Sequence, residues 1–395
     1  MAVVDRPSRT GGLSVKRLTQ GWSSAYSDPI RNIDWILIAA IAALSVIGVF
    51  TVYSATHLRL IDQGFDPFVY TQRQVIFLIL AAGVMSAMMW LGHDWLRAQA
   101  ALAYGAVLLG LVLLPVFGAV TGGARLAIDF GPVSLQPAEF AKPVVILLVA
   151  AYVSDASEDS VDWHHFVMSL IVVIVPVMFL LLQPDLGSAS VVIAGFTGIM
   201  YAANARRRYL LLIAALTAGS IAVSIAAIPR LAYQLRRFDA WLNQNSFDPD
   251  LQQVVLQVRF AKRAVSTGGF WGQGYLQGPL TNGKYIPVQF TDFPFSAIGE
   301  QRGTVGGLVV ILLFGVVLWR IWAIARAARD RFGQLLGTAI FCMVLWQTFQ
   351  NIGMALGITP VSGIPLPFIS YGGSHLLGSA ILMGLIQSIF MRRRL

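Results

Sequence analysis

Polar residues in this chain gather into short clusters. Between the clusters run stretches of roughly 20 mostly apolar residues, each long enough to cross a bilayer as a helix. The stretches are Asp34–Ser54, Gln72–Gly92, Arg97–Gly118, Pro137–Val153, Trp163–Leu182, Gly187–Asn204, Tyr209–Ile228, Ser296–Ala323, Gly333–Gly357 and Ser370–Met391. The pattern predicts an all-α, polytopic membrane protein of about ten transmembrane helices, because backbone polar groups in lipid must be paired within their own segment. Residues 1–33 are polar and basic and read as a flexible cytoplasmic tail. Residues 34–395 form the membrane domain, and 229–295 is a long extracellular loop between helices 7 and 8. Within that loop, Leu251–Ala264 reads as an amphipathic helix suited to the headgroup plane. The run Thr267–Gly278 reads as a flexible glycine-rich linker.

Composition supports the membrane reading. Hydrophobic residues make up 56% of the 395 and charged residues 12%, about half the usual share for a soluble chain, with mean hydropathy +0.70. The net charge of +9 reflects loops beside anionic lipid rather than nucleic-acid binding. Basic residues precede the first span, sit at Arg206–Arg208, surround the eighth-to-ninth turn and end the chain at Arg392–Arg394. With ten spans these clusters share one side, which places both termini in the cytoplasm. A lone cysteine, Cys342, excludes an intrachain disulfide. No zinc spacing, P-loop or nucleophile elbow is present.

The unusual polar residues lie at the other side. Arg125 is in the third external loop. Gln136, Glu139 and Lys142 open the fourth span. Gln183 and Asp185 occupy the turn between spans five and six, and Asp292 and Glu300 enter span eight. Ionisable groups at membrane helices are costly and mark a site. A carrier strings them through the midplane, whereas here they share one outward depth, suited to a lipid with a polar head. Plainer readings stand beside this. Glu139 and Lys142, three residues apart, suit a mutual pair. Asp185 and Asp292 suit helix N-caps. Gln350 and Asn351 suit interhelical hydrogen bonds.

Five segments resemble a known family. They are GGARLAIDFGPVSLQPAEFAK (Gly122–Lys142), QPDLGSA (Gln183–Ala189), GGFWGQGYLQG (Gly268–Gly278), TDFPFSAIGEQRG (Thr291–Gly303) and NIGMALGITPVSGIPLPFISYGGS (Asn351–Ser374). In this order they resemble the SEDS family (shape, elongation, division and sporulation) of bacterial cell-wall polymerases. GIPLPF is more similar to the elongation branch, RodA, than to the division branch, FtsW. The resemblance implies a ten-helix glycosyltransferase that polymerises lipid II into β-1,4 glycan strands at the outer face of the cytoplasmic membrane. It implies Asp292 as the catalytic residue and Arg125, Glu139, Lys142 and Asp185 as cavity residues. Gln136, Gln183, Glu300, Ser370 and Tyr371 complete the candidate substrate-binding set. A class B penicillin-binding protein transpeptidase is the implied partner. Departures from the family pattern are Leu126, Pro287-Val288, Ala138 and His375.

Transfer of a sugar from a diphosphate leaving group to a hydroxyl calls for a carboxylate base and for cations near the diphosphate. Asp292 suits the first role, Arg125 and Lys142 the second. A carboxylate can equally hold a divalent cation, Mg or Mn, against a diphosphate, and the sequence leaves both uses open. A lipid II flippase, a division-specific polymerase and a recruiting scaffold are the alternatives. A flippase calls for a polar path across the membrane, and a scaffold leaves the clustered charges without a role.

Overall fold

The structure is a computed structural model. It describes residues 32–121, 124–129, 134–156, 160–227, 232–246, 248 and 251–393. The expected N-terminal tail lies outside the described residues, apart from its last two positions.

Every predicted span is a helix. They are α1 (Trp35–Asp62), α2 (Val69–Leu91), α3 (His93–Phe117), α4 (Pro137–Ser154), α5 (Trp163–Leu182), α6 (Leu186–Ala202) and α7 (Arg207–Ala227). Two loop helices, α8 (Ala232–Leu242) and α9 (Gln252–Thr267), and two short ones, α10 (Pro279–Asn282) and α11 (Gln289–Asp292), follow. The last spans are α12 (Pro294–Arg326), α13 (Arg331–Ala355) and α14 (Gly373–Arg392). Among the described residues, eight helices are long and apolar enough to cross a membrane; α6 is a shorter apolar helix, and α7 is not among the eight. Aspartates set several starts. Asp34, Asp162, Asp185 and Asp330 each accept a hydrogen bond from a first-turn N–H that has no intrahelical partner. Pro137 opens α4, where its missing N–H costs nothing.

Helices α4, α13 and α14 are buried over most of their length, whereas α2 and α3 are mainly exposed. Large apolar side chains such as Leu102 and Trp90 face outward, which lipid accommodates and water does not. The chain is a multi-pass membrane protein.

Three features depart from the sequence expectation. A small antiparallel sheet, β1 (Ala119–Thr121), β2 (Ala124–Asp129) and β3 (Ser134–Leu135), fills the third loop. Helix α9 turns Val254, Val255, Val258, Ala261 and Ala264 inward and packs on α12, so its apolar face is covered by protein. The glycine-rich run after it is docked rather than slack. Helix α12 breaks at Gly303 (φ 65°, ψ −160°), a backbone region that side chains rarely adopt. The break strands the carbonyls of Glu300 and Gln301, and the N–H groups of Gln273 and Gly274 bond to them at 2.9 and 3.1 Å. Thr304 and Val305 return N–H bonds to Gly269 and Phe270. The run thus pairs its backbone with a broken helix, meeting the demand that buried polar groups be satisfied.

Candidate active site

Asp292 is the last residue of α11. The carbonyls at a helix C-terminus lack intrahelical partners, and here distant segments supply them. The Tyr371 N–H bonds to Phe290 O at 2.9 Å, the Ser370 hydroxyl to Thr291 O at 2.6 Å, and Asn351 Nδ2 to Asp292 O at 2.9 Å. Three successive carbonyls are therefore fixed by α13 and the loop before α14. Asp292 does not cap α12, whose cap position is Phe293, without a side-chain bond. Its carboxylate is left to face the loop 361–364 and Arg237 of α8. A Cβ placed on Gly363 would lie 3.8 Å from Asp292 Oδ2 and 3.9 Å from Arg237 Nη1. Burial pushes the Asp292 carboxyl above the usual carboxylate range, while the Thr291 hydroxyl and the Arg237 charge oppose that shift.

The same loop carries the site to the next carboxylate. Gly187, at the start of α6, packs against Ser362 O and Ile364, with Asp185 Oδ1 beside it. Asp185 caps α6 through Ser188 N–H at 2.9 Å, so the plain reading of this residue holds as well. Burial raises its pKa, the Ser188 N–H and Lys142 lower it, and Glu139 raises it again. Lys142 and Glu139 are both buried and pair at 2.7 Å. Lys142 therefore pairs with Glu139, and its charge is felt at Asp185. Glu139 Oε2 is also 3.3 Å from His375 Nδ1. Gly378 permits this approach of α14, because a Cβ there would meet Glu139 O at 2.8 Å. Asp292, the 361–364 loop, Asp185, Lys142, Glu139 and His375 form one polar tract at a single end of the bundle.

The other candidates lie elsewhere or act differently. Arg125 is in β2, paired in register with Val120; its side chain lies outside the described residues. The Gln136 N–H is held by Ser374 Oγ at 3.0 Å. Gln183 is buried and turned to α3, donating to Leu111 O at 3.2 Å. Ser370 has no exposed surface, and Tyr371 packs its ring on Phe290 and Tyr70. Both brace α11, and Ser370 has no exposed group to offer a ligand. Glu300 is likewise sealed, at 0% exposure. Its oxygens take the N–H groups of Leu280 (2.6 Å) and Thr281 (2.9 Å) and the Thr281 hydroxyl (2.6 Å), as a carboxylate at a helix N-terminus does. Arg302, two residues on, lies over the Tyr275 ring instead of pairing with Glu300. Thr281 Oγ1 accepts in turn from Gln289 of α11 at 3.2 Å, so Glu300 supports the segment bearing Asp292 without touching the cavity.

Two residues that matter here had other readings or none. Asn351 bonds to the loop carbonyls of Asp292 and Ile364 (2.9 and 2.8 Å) rather than across to another helix. Arg237 reads in the sequence as one of many loop cations, and only tertiary contacts bring it to Asp292.

A metal cage fits this site poorly. The one cluster of three ligand-type residues among the described residues is His93, Asp94 and Asp330, at the opposite end of the bundle. Around Asp292 the donors are backbone carbonyls, and a guanidinium stands opposite.

Known proteins share this architecture. A solved chain described as "Structural coordination of polymerization and crosslinking by a peptidoglycan synthase complex" superposes with TM-score 0.76 at 30% identity, covering 91% of this chain and 98% of its own. The rod shape determining protein RodA of Thermus thermophilus gives 0.67 at 27% identity, over 94% and 99%. Stage V sporulation protein E of Bacillus subtilis is 30% identical, covering 90% of this chain and 96% of its own length. A probable peptidoglycan glycosyltransferase FtsW of Trichlorobacter lovleyi is 32% identical, over 91% and 93%. The family model described as "Cell cycle protein", spanning FtsW, RodA and SpoVE, matches residues 34–395. Matched by the family model over residues 34–395 and by relatives over about nine-tenths of its length, the chain belongs to the FtsW/RodA/SpoVE family.

Proposed function

We propose that this protein is a peptidoglycan glycosyltransferase that polymerises lipid II into β-1,4 glycan strands at the outer face of the cytoplasmic membrane, with Asp292 as general base. The observation that carries the reading is the placement of Asp292. The last three carbonyls of α11, its own among them, are held by tertiary hydrogen bonds, its side chain caps no helix, and its carboxylate faces the 361–364 loop beside a cation. A residue needed only for the fold would spend its carboxylate as Glu300 does.

The acceptor's sugar 4-hydroxyl attacks C1 of the donor sugar. The new O4–C1 bond forms as the C1–diphosphate oxygen bond breaks, with inversion. The hydroxyl proton passes to Asp292, and undecaprenyl diphosphate leaves with the bond's electron pair. Lys142, with Arg125 as a further candidate, stabilises the diphosphate. No step is routed through a metal.

The tract lies at the end opposite Arg206–Arg208 and Arg392, and the positive-inside rule puts that end outside. The class B penicillin-binding protein is proposed as partner on the likeness to a complex that joins polymerisation to crosslinking. Gly363–Phe368 favours the elongation branch, whereas several curated relatives carry the FtsW name. Depletion in the native cell separates the two: rounding marks the elongation branch and filamentation the division branch. The activity itself is tested by incubating purified protein with lipid II, with and without the partner. Glycan strands are expected from wild type, and their absence under both conditions overturns the reading.

A further inference from the structure

Helix α8 is part of the long loop, yet it carries a charge into the site. Arg237 on α8 and Gln244 in the turn just after it tie this segment to the loop between α13 and α14. Arg237 Nη1 donates to Val361 O at 3.3 Å, and Gln244 Nε2 donates to Gly357 O at 2.8 Å. The far end of the same loop is tied to the aspartate, since Asn351 bonds to both Ile364 O and Asp292 O. Guanidinium and carboxylate therefore both approach Gly363, each within 4 Å of the point where its Cβ would stand. Gly363 has φ +69°, so a side chain there is both strained and directed between the two charges.

The other charged groups nearby have different partners. On α8 itself, Arg236 and Asp239 are exposed. Lys262 of α9 donates to Gln244 Oε1 at 2.8 Å. On α12, Glu300 is consumed by α10. Arg73 of α2 acts on Tyr371. Asp185 lies across the loop, beside Lys142. From α13 come only the neutral Gln350 and Asn351. Among the described residues, Arg237 is the cation whose field reaches Asp292.

We propose that Arg237 is a positioning residue for the base: docking of α8 on the 361–364 loop brings the guanidinium that holds Asp292 ionised. The inference rests on the reading of Asp292 as general base. A carboxyl in a partly dry site favours its neutral form, which cannot accept a proton. A guanidinium is charged at every working pH, so its presence beside the loop, set by how α8 lies, biases the base toward its ionised form.

The test is the pH dependence of kcat for lipid II polymerisation by the full chain, with Arg237→Lys, Arg237→Gln and Arg237→Ala against wild type. Activity rises with pH as Asp292 loses its proton. Without the cation the acidic limb is expected to move up by roughly one to two pH units, with a near-normal alkaline plateau, and Arg237→Lys is expected to keep the limb in place. Arg237→Gln retains a donor for Val361 O and carries the test if the alanine variant does not accumulate. An unmoved limb with a raised KM overturns the proposal and makes Arg237 a diphosphate contact. Loss at every pH that Arg237→Gln restores makes it a structural tie and also overturns it. A second readout does not need turnover: the infrared carboxylic C=O band that disappears in Asp292→Asn is followed against pH. In Arg237→Gln that band is expected to persist to higher pH. If wild type makes no polymer but the band moves, the polymerase reading fails and the charge coupling stands; if polymer forms and neither limb nor band moves, the coupling fails alone.

Discussion

Two carboxylates stand at the mouth of α12, eight residues apart, and the chain treats them in opposite ways. Glu300 is sealed from solvent and accepts three hydrogen bonds from the first turn of α10. Asp292 is half-buried, lets its main chain take the tertiary bonds, and faces a guanidinium across a glycine. The Glu300 side is finished, whereas the Asp292 side is held in place and left chemically available. The two are joined through Thr281 and Gln289, so the structural carboxylate braces the reactive one. Acidic residues at a membrane helix mark a site, but their hydrogen-bond inventory says which of them does the chemistry.

The comparison breaks first, and with the largest effect, at Asp292. Asp292→Asn is expected to cut polymerisation at least ~100-fold, the lower range for loss of a general base, with unchanged Tm and expression. Near-normal polymer from this variant would mean that Asp292 is as structural as Glu300. Glu300→Gln should do the reverse. Its amide would push a donor against N–H donors, at a cost of about 2 kcal/mol, read as a lower Tm and poorer accumulation. Activity per folded molecule should stay within a few-fold of wild type; a large loss of kcat at normal Tm would give Glu300 a direct role.

Asn351→Leu removes the bonds to Asp292 O and Ile364 O and leaves the carboxylate itself unaltered. About tenfold lower kcat with little change in KM is expected, as for loosened alignment of a reacting group; unchanged kcat would show that the other two carbonyl bonds suffice. For wild type, the acidic limb of activity should lie above the ordinary aspartate pKa of about 3.9, because burial raises this carboxyl and the deprotonated form is the base. A limb at or below that value would remove burial from the account. The smallest effect is a labelling difference with activity intact: Tyr285→Cys, on the site side, should react with an impermeant thiol reagent from outside, and Arg207→Cys should not. The converse pattern would put both carboxylates inside the cell.

Much of this was legible in the sequence. Ten helices followed from apolar runs, and the cap at Asp185 from its place in the turn before α6. Asp292, Lys142, Glu139 and Asp185 stood out because charge beside a span is rare, and the structure joins them in one tract. What escaped depends on contacts between distant segments. Arg237 meets Val361 across 124 positions, and no local pattern separates it from Arg236. Ser370 and Tyr371 belong to a motif that reads as ligand-binding, yet they serve the unpaired carbonyls of a four-residue helix that no periodicity reveals. The Gly303 break looks like any glycine in an apolar run until the partner backbone arrives. Glu300 and Asp292 are the same chemistry on paper, and only neighbours from α10 and the 361–364 loop distinguish them.

The seam between the glycine-rich run and broken α12 has a mechanical side. Backbone bonds run in both directions across it, from Gln273 and Gly274 to Glu300 and Gln301 and from Thr304 and Val305 to Gly269 and Phe270. The loop is thereby riveted to the membrane helix like a bracket to a post. A helix whose length does not match the bilayer tilts, and a bracket turns with its post. The glycine-rich run and the hydrogen bonds from Glu300 through Thr281 to Gln289 therefore form one continuous framework with the membrane helix rather than slack chain beside it.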